Sequence, residues 1–228
     1  MSVSNLTTRT DFPPVDLPAE PLASPNASPA DAVLRRALDV VVSAAALLLL
    51  LPLLALIALC IRLDSPGPIL FVQKRVGRHG REFPVFKFRS MFTDAEEHLH
   101  TVLAANERSG PVFKMRQDPR TTRIGRGLRR CSLDEVPQLL NVLRGEMSLV
   151  GPRPALPREV ALYTPDQHQR LSVLPGLTGL WQVSGRATLS FEASVALDLL
   201  YVQRQSFWLN VVILARTVPA VLTGRGAY

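Results

Sequence analysis

An uncharged apolar segment with a proline at its centre constrains the fold of this chain more than any other feature. Residues 40–61 carry no charged side chain, and a helix of about 22 residues can cross the roughly 30 Å hydrocarbon layer of a bilayer. Pro52 lies in the middle, where a proline removes a backbone hydrogen bond and bends the helix. Neither half could cross alone, so the segment predicts a helix-break-helix that enters and leaves the same membrane face.

Basic residues flank this segment on both sides. Arg36 precedes it and Arg62 follows it, and Lys and Arg are enriched in the cytoplasmic flanks of membrane segments. Asp39, at the edge of the segment, has the spacing to pair with Arg35 or Arg36 on one helix. The flanks favour a re-entrant hairpin with both ends in the cytoplasm; a spanning helix that tolerates Pro52 is the alternative.

The segment divides the chain into three regions. Residues 1–31 are rich in proline and small polar residues, which predicts a disordered tail. Residues 32–62 form the membrane hairpin, and residues 63–228 form a cytoplasmic domain. The predicted fold class is α+β and helix-rich, and the protein is monotopic, with one small β-hairpin and interfacial amphipathic helices.

Local patterns predict the elements of the cytoplasmic domain. Two β-rich stretches separated by a glycine-containing turn predict the hairpin, at residues 69–76 and 82–88. Polar and basic stretches predict helices at residues 93–106 and 123–130. Residues 191–222 have helical spacing and aromatic side chains that suit a membrane interface, with an ordinary core helix as the alternative.

The charge of the chain limits its partners. It has 26 Lys and Arg against 19 Asp and Glu, a formal net charge of +7, and such a surface meets nucleic acid, anionic lipid or a phosphorylated substrate. Cys60 and Cys131 are too few for a disulfide framework, and no histidine has metal-ligand spacing to them.

Two adjacent acids are the strongest candidates for chemistry. Asp134 and Glu135 come at the start of a predicted helix that ends at Gly145, because Pro137 is tolerated only in a first turn. A helix N-terminus favours ionised carboxylates, which can bind a hard cation or attack phosphorus. Ordinary capping is the alternative, since Ser132 and Glu135 have the spacing of a capping box.

Several bases lie where they could bind phosphate. Arg153 lies between two prolines and Arg186 follows a Ser-Gly pair, while Lys87 and Arg89 share one face of a predicted strand. Arg129, in the basic stretch 123–130, is a further candidate. The planar guanidinium suits phosphate oxygens. Together with the acids and the membrane segment, these bases favour phosphoryl chemistry at a lipid surface.

Five runs of residues carry a resemblance to a known family. They are residues 87–91 (KFRSM), 132–138 (SLDEVPQ), 145–154 (GEMSLVGPRP), 175–182 (PGLTGLWQ) and 224–228 (GRGAY). In this order, over about residues 33–228, they resemble the bacterial sugar transferases, which are monotopic phosphoglycosyl transferases. The short form is similar to the undecaprenyl-phosphate galactose or glucose phosphotransferases of exopolysaccharide synthesis.

The resemblance implies a reaction and its site. The reaction is transfer of a sugar 1-phosphate from a nucleotide sugar, usually a UDP-sugar, to undecaprenyl phosphate, with release of UMP. Asp134 matches the nucleophile that forms a covalent aspartyl-phosphosugar intermediate. Glu135 matches a second acid with a role in metal orientation and proton handling, and the pair carries Mg²⁺. Arg153 matches a loop near the nucleotide, and Arg186 a loop near a phosphate.

The resemblance also implies a location and partners. The chain is expected at the cytoplasmic face of a bacterial inner membrane, with membrane lipid, downstream glycosyltransferases and a second copy as partners, and without nucleic acid. The family's hairpin fits residues 36–61. Two positions depart from the family pattern: Leu51 stands where relatives have Ser, and Ala187 where they have Asn.

Two alternatives belong to other classes of protein. A membrane-tethered basic module that binds nucleic acid or anionic lipid would account for the arginines, although it leaves the acid pair unexplained. A scaffold for polysaccharide assembly would fold and bind partners without turnover.

Overall fold

The computed structural model describes residues 28–102, 115, 117–185 and 189–223. In this part of the chain, helices surround two small two-stranded sheets, which confirms the predicted helix-rich α+β class. The α-helices are α1 (Pro29–Asp64), α2 (Leu99–Val102), α3 (Arg123–Arg130), α4 (Leu139–Arg144), α5 (Pro157–Val160), α6 (Pro165–His168), α7 (Leu180–Val183), α8 (Phe191–Arg204) and α9 (Phe207–Thr223). The strands are β1 (Leu70–Val76), β2 (Glu82–Phe88), β3 (Ser148–Val150) and β4 (Gly176–Thr178).

The apolar segment forms one long helix. α1 begins after Ser28, whose side chain accepts a hydrogen bond from the Asp31 amide at 3.2 Å, and it continues through Pro52 to Asp64. By length and composition it could cross a membrane. The sequence predicts two helices here and the structure has one, because a proline can remain inside a helix at the cost of one hydrogen bond.

Both arms of α1 contact the rest of the protein. We call residues 29–51 the first arm and residues 53–64 the second arm. Asp39 and Ser43 are buried in the first arm, and Ile57 and Ile61 in the second. Between them the side chains of Leu48 and Leu49 are 73% and 78% exposed. One face of α1 is therefore open at Leu48 and Leu49, although the preceding Ala46 and Leu47 pack against the core.

Polar contacts attach the first arm to the core. Asp39 accepts hydrogen bonds from the Ser148 hydroxyl at 3.0 Å and the Leu149 amide at 2.8 Å. Arg36 donates to the carbonyls of Val142 and Leu143 at 2.7 and 2.8 Å, where the negative end of the α4 dipole favours a cation.

The expected pairing of Asp39 with a neighbouring arginine is not formed. Arg35 pairs with Asp31 at 2.7 Å instead, because both lie on the same helical face one turn apart. Arg36 is occupied by the α4 carbonyls. Asp39 is therefore free to bond β3.

Apolar packing and one arginine attach the second arm. Ile57 and Ile61 pack in a cluster with Phe88 and Leu128. Arg89, only 5% exposed, donates to the carbonyl oxygens of Ser65 at 2.6 Å and Pro66 at 2.8 Å. Hydrogen bonds to the carbonyls beyond the last turn stabilise the point at which α1 ends.

The predicted β-hairpin is confirmed. β1 and β2 pair antiparallel from Leu70 opposite Phe88 to Val76 opposite Glu82, joined by a 3-10 turn at Arg78–Gly80. Phe83 and Val85 point into the larger of two clusters of buried apolar side chains, which we call the main core. A second sheet is formed by β3 and β4, which pair in parallel. The hairpin thus covers one side of the core, and its turn lies at the opposite end of β1 from the end that follows α1.

The C-terminal region contains two helices where one is predicted. α8 and α9 meet at Gln205 and Ser206, and Tyr201, Leu209 and Ile213 lie in the main core. One side of each helix therefore packs in the core, as the alternative of an ordinary core helix predicts. The opposite side exposes Trp208 and Val218, and its placement at a membrane interface stays a prediction.

The two remaining helix predictions differ in outcome. The basic helix at residues 123–130 is confirmed as α3. Of the polar helix expected at residues 93–106, the described part contains only α2 after a series of turns, and residues 103–106 lie outside the described residues.

Candidate active site

Asp134 and Glu135 lie in a 3-10 turn that leads into α4. The turn spans Leu133–Gln138, and α4 ends at Gly145, whose φ of 79° is left-handed. Both predicted ends of this helix are confirmed. Its first part is 3-10 rather than α because Pro137 has no N–H to donate to the Leu133 carbonyl.

The capping box expected at this position does not form. Ser132 adopts φ 55° and its side chain makes no capping hydrogen bond. For a serine this left-handed conformation costs about 1–2 kcal/mol. The Glu135 side chain turns instead to Lys87. Ordinary capping therefore does not account for the acid pair, and a strained residue lies two positions before Asp134.

Lys87 is held opposite Glu135 by the contact between β2 and α4. The Lys87 ammonium lies 2.7 Å from a Glu135 oxygen. The buried side chain of Asn141 accepts from the Phe86 amide at 3.2 Å and donates to the Pro84 carbonyl at 2.7 Å. These two bonds fix β2 on α4, so the register that places Lys87 beside the acid pair is set by backbone contacts.

Asp134 is a desolvated carboxylate. It is 9% exposed, and burial, with a smaller contribution from the charge of Glu135, raises its pKa to about 6 against the opposing effect of Lys87 and Arg129. Among the described side chains none donates a hydrogen bond to it. Asp134 is therefore ionised above pH 6 but poorly solvated, a condition that favours nucleophilic attack.

Glu135 responds in the opposite direction. Burial raises its pKa, but the charge and hydrogen bond of Lys87, followed by the charges of Arg153 and Arg75, outweigh burial and lower the pKa. Two adjacent acids thus have separate titration ranges, which is how acid and base roles are divided in active sites.

The structure brings three of the five predicted phosphate-binding bases to the acid pair. Lys87 contacts Glu135 directly. Arg129 donates to the Thr121 hydroxyl at 3.2 Å and acts on Asp134 by charge, and Arg153 lies 3.8 Å from Glu159 and acts on Glu135. The acid pair therefore faces cations from a strand, a helix and a loop.

The other two bases are not placed there. Arg89 is bonded to the end of α1, because it follows β2 at the point where the chain meets α1. Arg186, together with the departure at Ala187, lies outside the described residues.

Sequence reasoning missed Arg75. This buried residue of β1 donates to the Pro154 carbonyl at 3.1 Å, beside Arg153. Burial, reinforced by the charge of Arg153, lowers the pKa of Arg75 to about 10. Strand alternation puts Lys74 and Arg75 on opposite faces, so one of them had to point inward, but no local signal says which.

The chain matches a known protein family over a range that includes the candidate site. The profile of the family described as bacterial sugar transferase covers residues 30–224, a range that contains α1, the acid pair and Arg153. The chain belongs to the bacterial sugar transferase family. The resemblance stated from the motifs is therefore confirmed.

Individual members of the family are similar over most of this chain. The UDP-galactose-lipid carrier transferase of Erwinia amylovora is 45% identical over 203 residues, 86% of this chain and 42% of that protein. The undecaprenyl-phosphate glucose phosphotransferase of Komagataeibacter xylinus is 46% identical over 209 residues, 87% of this chain and 37% of its own length. The exopolysaccharide production protein ExoY of Rhizobium meliloti (strain 1021) is 41% identical over 204 residues, 88% of this chain and 90% of that protein.

The chain thus spans about two fifths of the two longer relatives and most of ExoY.

Proposed function

We propose that this chain transfers a sugar 1-phosphate from a UDP-sugar to undecaprenyl phosphate, the first membrane step of exopolysaccharide or other glycoconjugate synthesis. The observation that carries the proposal is the desolvated Asp134 carboxylate beside Glu135, with Lys87, Arg129 and Arg153 around the pair. The names of the Erwinia and Komagataeibacter relatives, which mention UDP-galactose and undecaprenyl phosphate, support the choice of substrates.

In the first half-reaction Asp134 is the nucleophile. One of its carboxylate oxygens forms a bond to the phosphorus that carries the sugar, and the bond from that phosphorus to the oxygen of UMP breaks. UMP leaves with the electron pair, and an aspartyl-phosphosugar remains. Lys87, Arg129 and Arg153 offset the charge of the diphosphate.

In the second half-reaction the lipid completes the transfer. A phosphate oxygen of undecaprenyl phosphate bonds to the same phosphorus, and Asp134 leaves as a carboxylate. The product is undecaprenyl-diphosphate-sugar. Lys87 keeps Glu135 ionised when the acceptor binds, so Glu135 can orient a cation. It can also take a proton from a protonated lipid phosphate and then release that proton to water.

The acid pair also suits Mg²⁺. This ion is usually held by one or two carboxylates together with substrate phosphates and water, and within the described residues no group of three or more His, Cys, Asp or Glu side chains could hold a metal without substrate. Asp134 and Glu135 would hold the ion. When bound, it neutralises charge on the diphosphate and the leaving group.

We propose further that α1 is re-entrant, with both ends at the cytoplasmic face of the bacterial inner membrane. Arg36 in the first arm and Ile61 in the second are 25 residues apart, about 38 Å along a straight helix, yet both contact the same domain. The exposed leucines around Pro52 would then lie deepest in the lipid.

The topology is tested with single cysteines in a cysteine-free background. Ala30→Cys and Arg78→Cys should both react with a membrane-impermeant maleimide from the cytoplasmic side of inverted vesicles, and Leu49→Cys should not. Reaction of Ala30→Cys from the periplasmic side alone would establish a spanning helix.

The reaction is tested by UMP release from a panel of UDP-sugars, by full-length protein with Mg²⁺ and undecaprenyl phosphate. Turnover should need all components and fall by at least about 10³-fold in Asp134→Asn. Asp166→Asn, which replaces an exposed acid on α6, should keep the full turnover rate.

The covalent intermediate is tested by leaving out the acceptor lipid. One UMP per protein and a sugar-phosphate adduct on the Asp134 peptide are then expected. Release of UMP without an adduct would contradict the covalent route, and folded protein silent on every donor would favour a scaffold.

A further inference from the structure

The helix α3 has one face against the membrane helix and one face against the solvent. Ile124 and Leu128 pack with Ile57 and Ile61 of the second arm. The Ile124 amide also donates to the Asp64 carboxylate at 3.1 Å. These contacts attach α3 to the last two turns of α1.

Three arginines form the opposite face of α3. Arg123, Arg126 and Arg130 are all exposed, and their spacing of three and four residues places them in one row about 10 Å long. Arg129 lies beside the row, bonds the Thr121 hydroxyl and acts on Asp134 by charge. The three arginines of the row are not among the charges with the largest effects on the pKa of Asp134 or Glu135, so the row is distinct from the bases around the acid pair.

The charge of this row is not compensated by the described part of the protein. Among those residues, no carboxylate lies within 4 Å of the three guanidinium groups. Arg126 makes one long contact to the Thr121 carbonyl, at 3.5 Å. Three positive charges are thus presented together on one helix.

The contact of α3 with α1 sets the level of the row relative to the apolar surface of α1. On the side of the second arm away from α3, Leu56, Leu59 and Leu63 are exposed apolar side chains, a surface that lipid would cover. Because α3 packs beside residues 57 and 61, it lies within about 10 Å of the end of that apolar surface along the helix axis. A basic face at this level meets the headgroups of a bilayer.

We propose that the row Arg123, Arg126 and Arg130 binds the phosphate headgroups of anionic bilayer lipids. This rests on the proposed membrane insertion of α1. Lipid phosphodiesters would bridge neighbouring arginines, and the binding would fix the height of α3 above the membrane. Since Arg129 of the same helix faces the acid pair, it would also fix the depth of Asp134 at the level of a lipid-borne phosphate.

The proposal is tested by titrating dioctanoyl phosphatidylglycerol or dioctanoyl phosphatidylcholine into full-length protein in a nonionic detergent. Each base near an anionic surface contributes about 1 kcal/mol, roughly a fivefold change in affinity. Arg123→Gln/Arg126→Gln/Arg130→Gln should therefore weaken phosphatidylglycerol binding at least tenfold and leave phosphatidylcholine binding unchanged.

A matched triple variant controls for net charge. Arg78→Gln/Arg81→Gln/Arg158→Gln also removes three exposed bases, two of them at the hairpin turn, about 20 Å along β1 from the end of α1. It should change phosphatidylglycerol affinity less than twofold. Equal losses in both variants, or equal binding of the two lipids by the unaltered protein, would overturn the proposal, as would loss of duplex DNA binding rather than lipid binding in the α3 variant.

Turnover of the same proteins separates this proposal from the proposed function. The α3 variant should retain kcat with saturating substrates in detergent and should unfold at an unchanged temperature. Normal turnover with unaltered lipid binding would overturn only the headgroup site. A chain that never turns over but discriminates the lipids through α3 would overturn only the transferase.

Discussion

At the scale of single residues, Asp134 and Glu135 are neighbours whose surroundings move their pKa values apart. Burial dominates at Asp134, whereas the cations around Glu135 outweigh burial there. One residue, Lys87, acts on both acids but lies in direct contact only with Glu135. The pH dependence of the proposed reaction should therefore follow the ionisation of Asp134, and the charge of Lys87 should lower the pH at which this carboxyl ionises.

Replacing Lys87 tests this control. The rate of UMP formation, measured as kcat/KM, should rise with pH about a midpoint near 6, where Asp134 ionises. Lys87→Gln removes a charge that lowers the pKa of Asp134, so the midpoint should move to higher pH. If it moves by about one unit, activity relative to the plateau falls about fivefold at pH 6 and hardly at all at pH 8.

Lys74→Gln is the matched control for this profile. Its ammonium is 79% exposed and lies 3.7 Å from Glu82 on the hairpin, so the midpoint should not change. A uniform loss of activity in Lys87→Gln at every pH, with an unmoved midpoint, would show that Lys87 acts only by binding substrate.

The raised pKa of Asp134 also has a consequence for stability. The native protein holds this proton more tightly than the unfolded chain, so the free energy of unfolding should fall as pH rises from about 4 to about 6. Asp134→Asn removes that cost. Asp134→Asn should therefore be more stable than the parent above pH 6, by about 1–3 kcal/mol, and no more stable at pH 4.

Thermal unfolding in detergent at pH 4.5 and 7.5 measures this difference. Asp166→Asn, which removes an exposed carboxylate, should leave the pH dependence unchanged. A variant of Asp134 that is less stable at pH 7.5 would mean that the carboxylate is held by attractive contacts rather than left desolvated.

At the scale of elements, α3 shows how one helix can have two glycines with different roles. A Cβ on Gly125 would lie 2.0 Å from the Ser90 carbonyl oxygen, while one on Gly127 would meet nothing within 4 Å. Gly125 therefore permits the close approach of α3 to the chain after β2. Gly127 only loosens the helix, because glycine is a poor helix former.

Alanine substitutions should separate the two glycines. Gly125→Ala must displace backbone, so we expect a loss of at least about 2 kcal/mol in the free energy of unfolding. Gly127→Ala should increase it by about 0.5–1 kcal/mol. Denaturation of both variants in the same detergent measures the two changes in the free energy of unfolding. Equal changes would contradict the packing of α3 described above.

At the scale of the whole molecule, α1 is bonded to the end of the helix that follows the acid pair and to the strand after that helix. Arg36 bonds the end of α4, and Asp39 bonds β3, the strand that leads to Arg153. The second arm meets β2 and α3 through Phe88 and Leu128. The long apolar helix α1 is therefore part of the frame that positions the site.

Changes at Asp39 test this connection. Asp39→Ala leaves the Leu149 amide and the Ser148 hydroxyl without their acceptor in a buried place, and should lower the free energy of unfolding by about 1–3 kcal/mol. Asp39→Asn keeps an acceptor oxygen and should lose less. Thermal unfolding orders the variants, and indistinguishable values for alanine and asparagine would show that these hydrogen bonds contribute little.

Local sequence rules predicted most of the elements that carry the site. The apolar run of α1, the hairpin β1–β2, the basic helix α3 and the helix that ends at Gly145 all follow from periodicity, proline and glycine over a few residues. Such rules use neighbouring residues only and do not predict contacts between distant parts of the chain. They therefore predicted one helix where α8 and α9 are two, and two helices where α1 is one.

The sequence by itself determined that an acid pair would stand near a helix start, in a chain with an excess of bases and a long apolar segment, because those properties depend on composition and on neighbouring residues. Only the tertiary structure decided which bases the acids meet. Lys87 and Arg89 share a strand face in sequence, yet one pairs with Glu135 and the other bonds the end of α1. Pairing between residues some 50 positions apart depends on how strands and helices pack, and that packing buries Asp134 and sets its pKa.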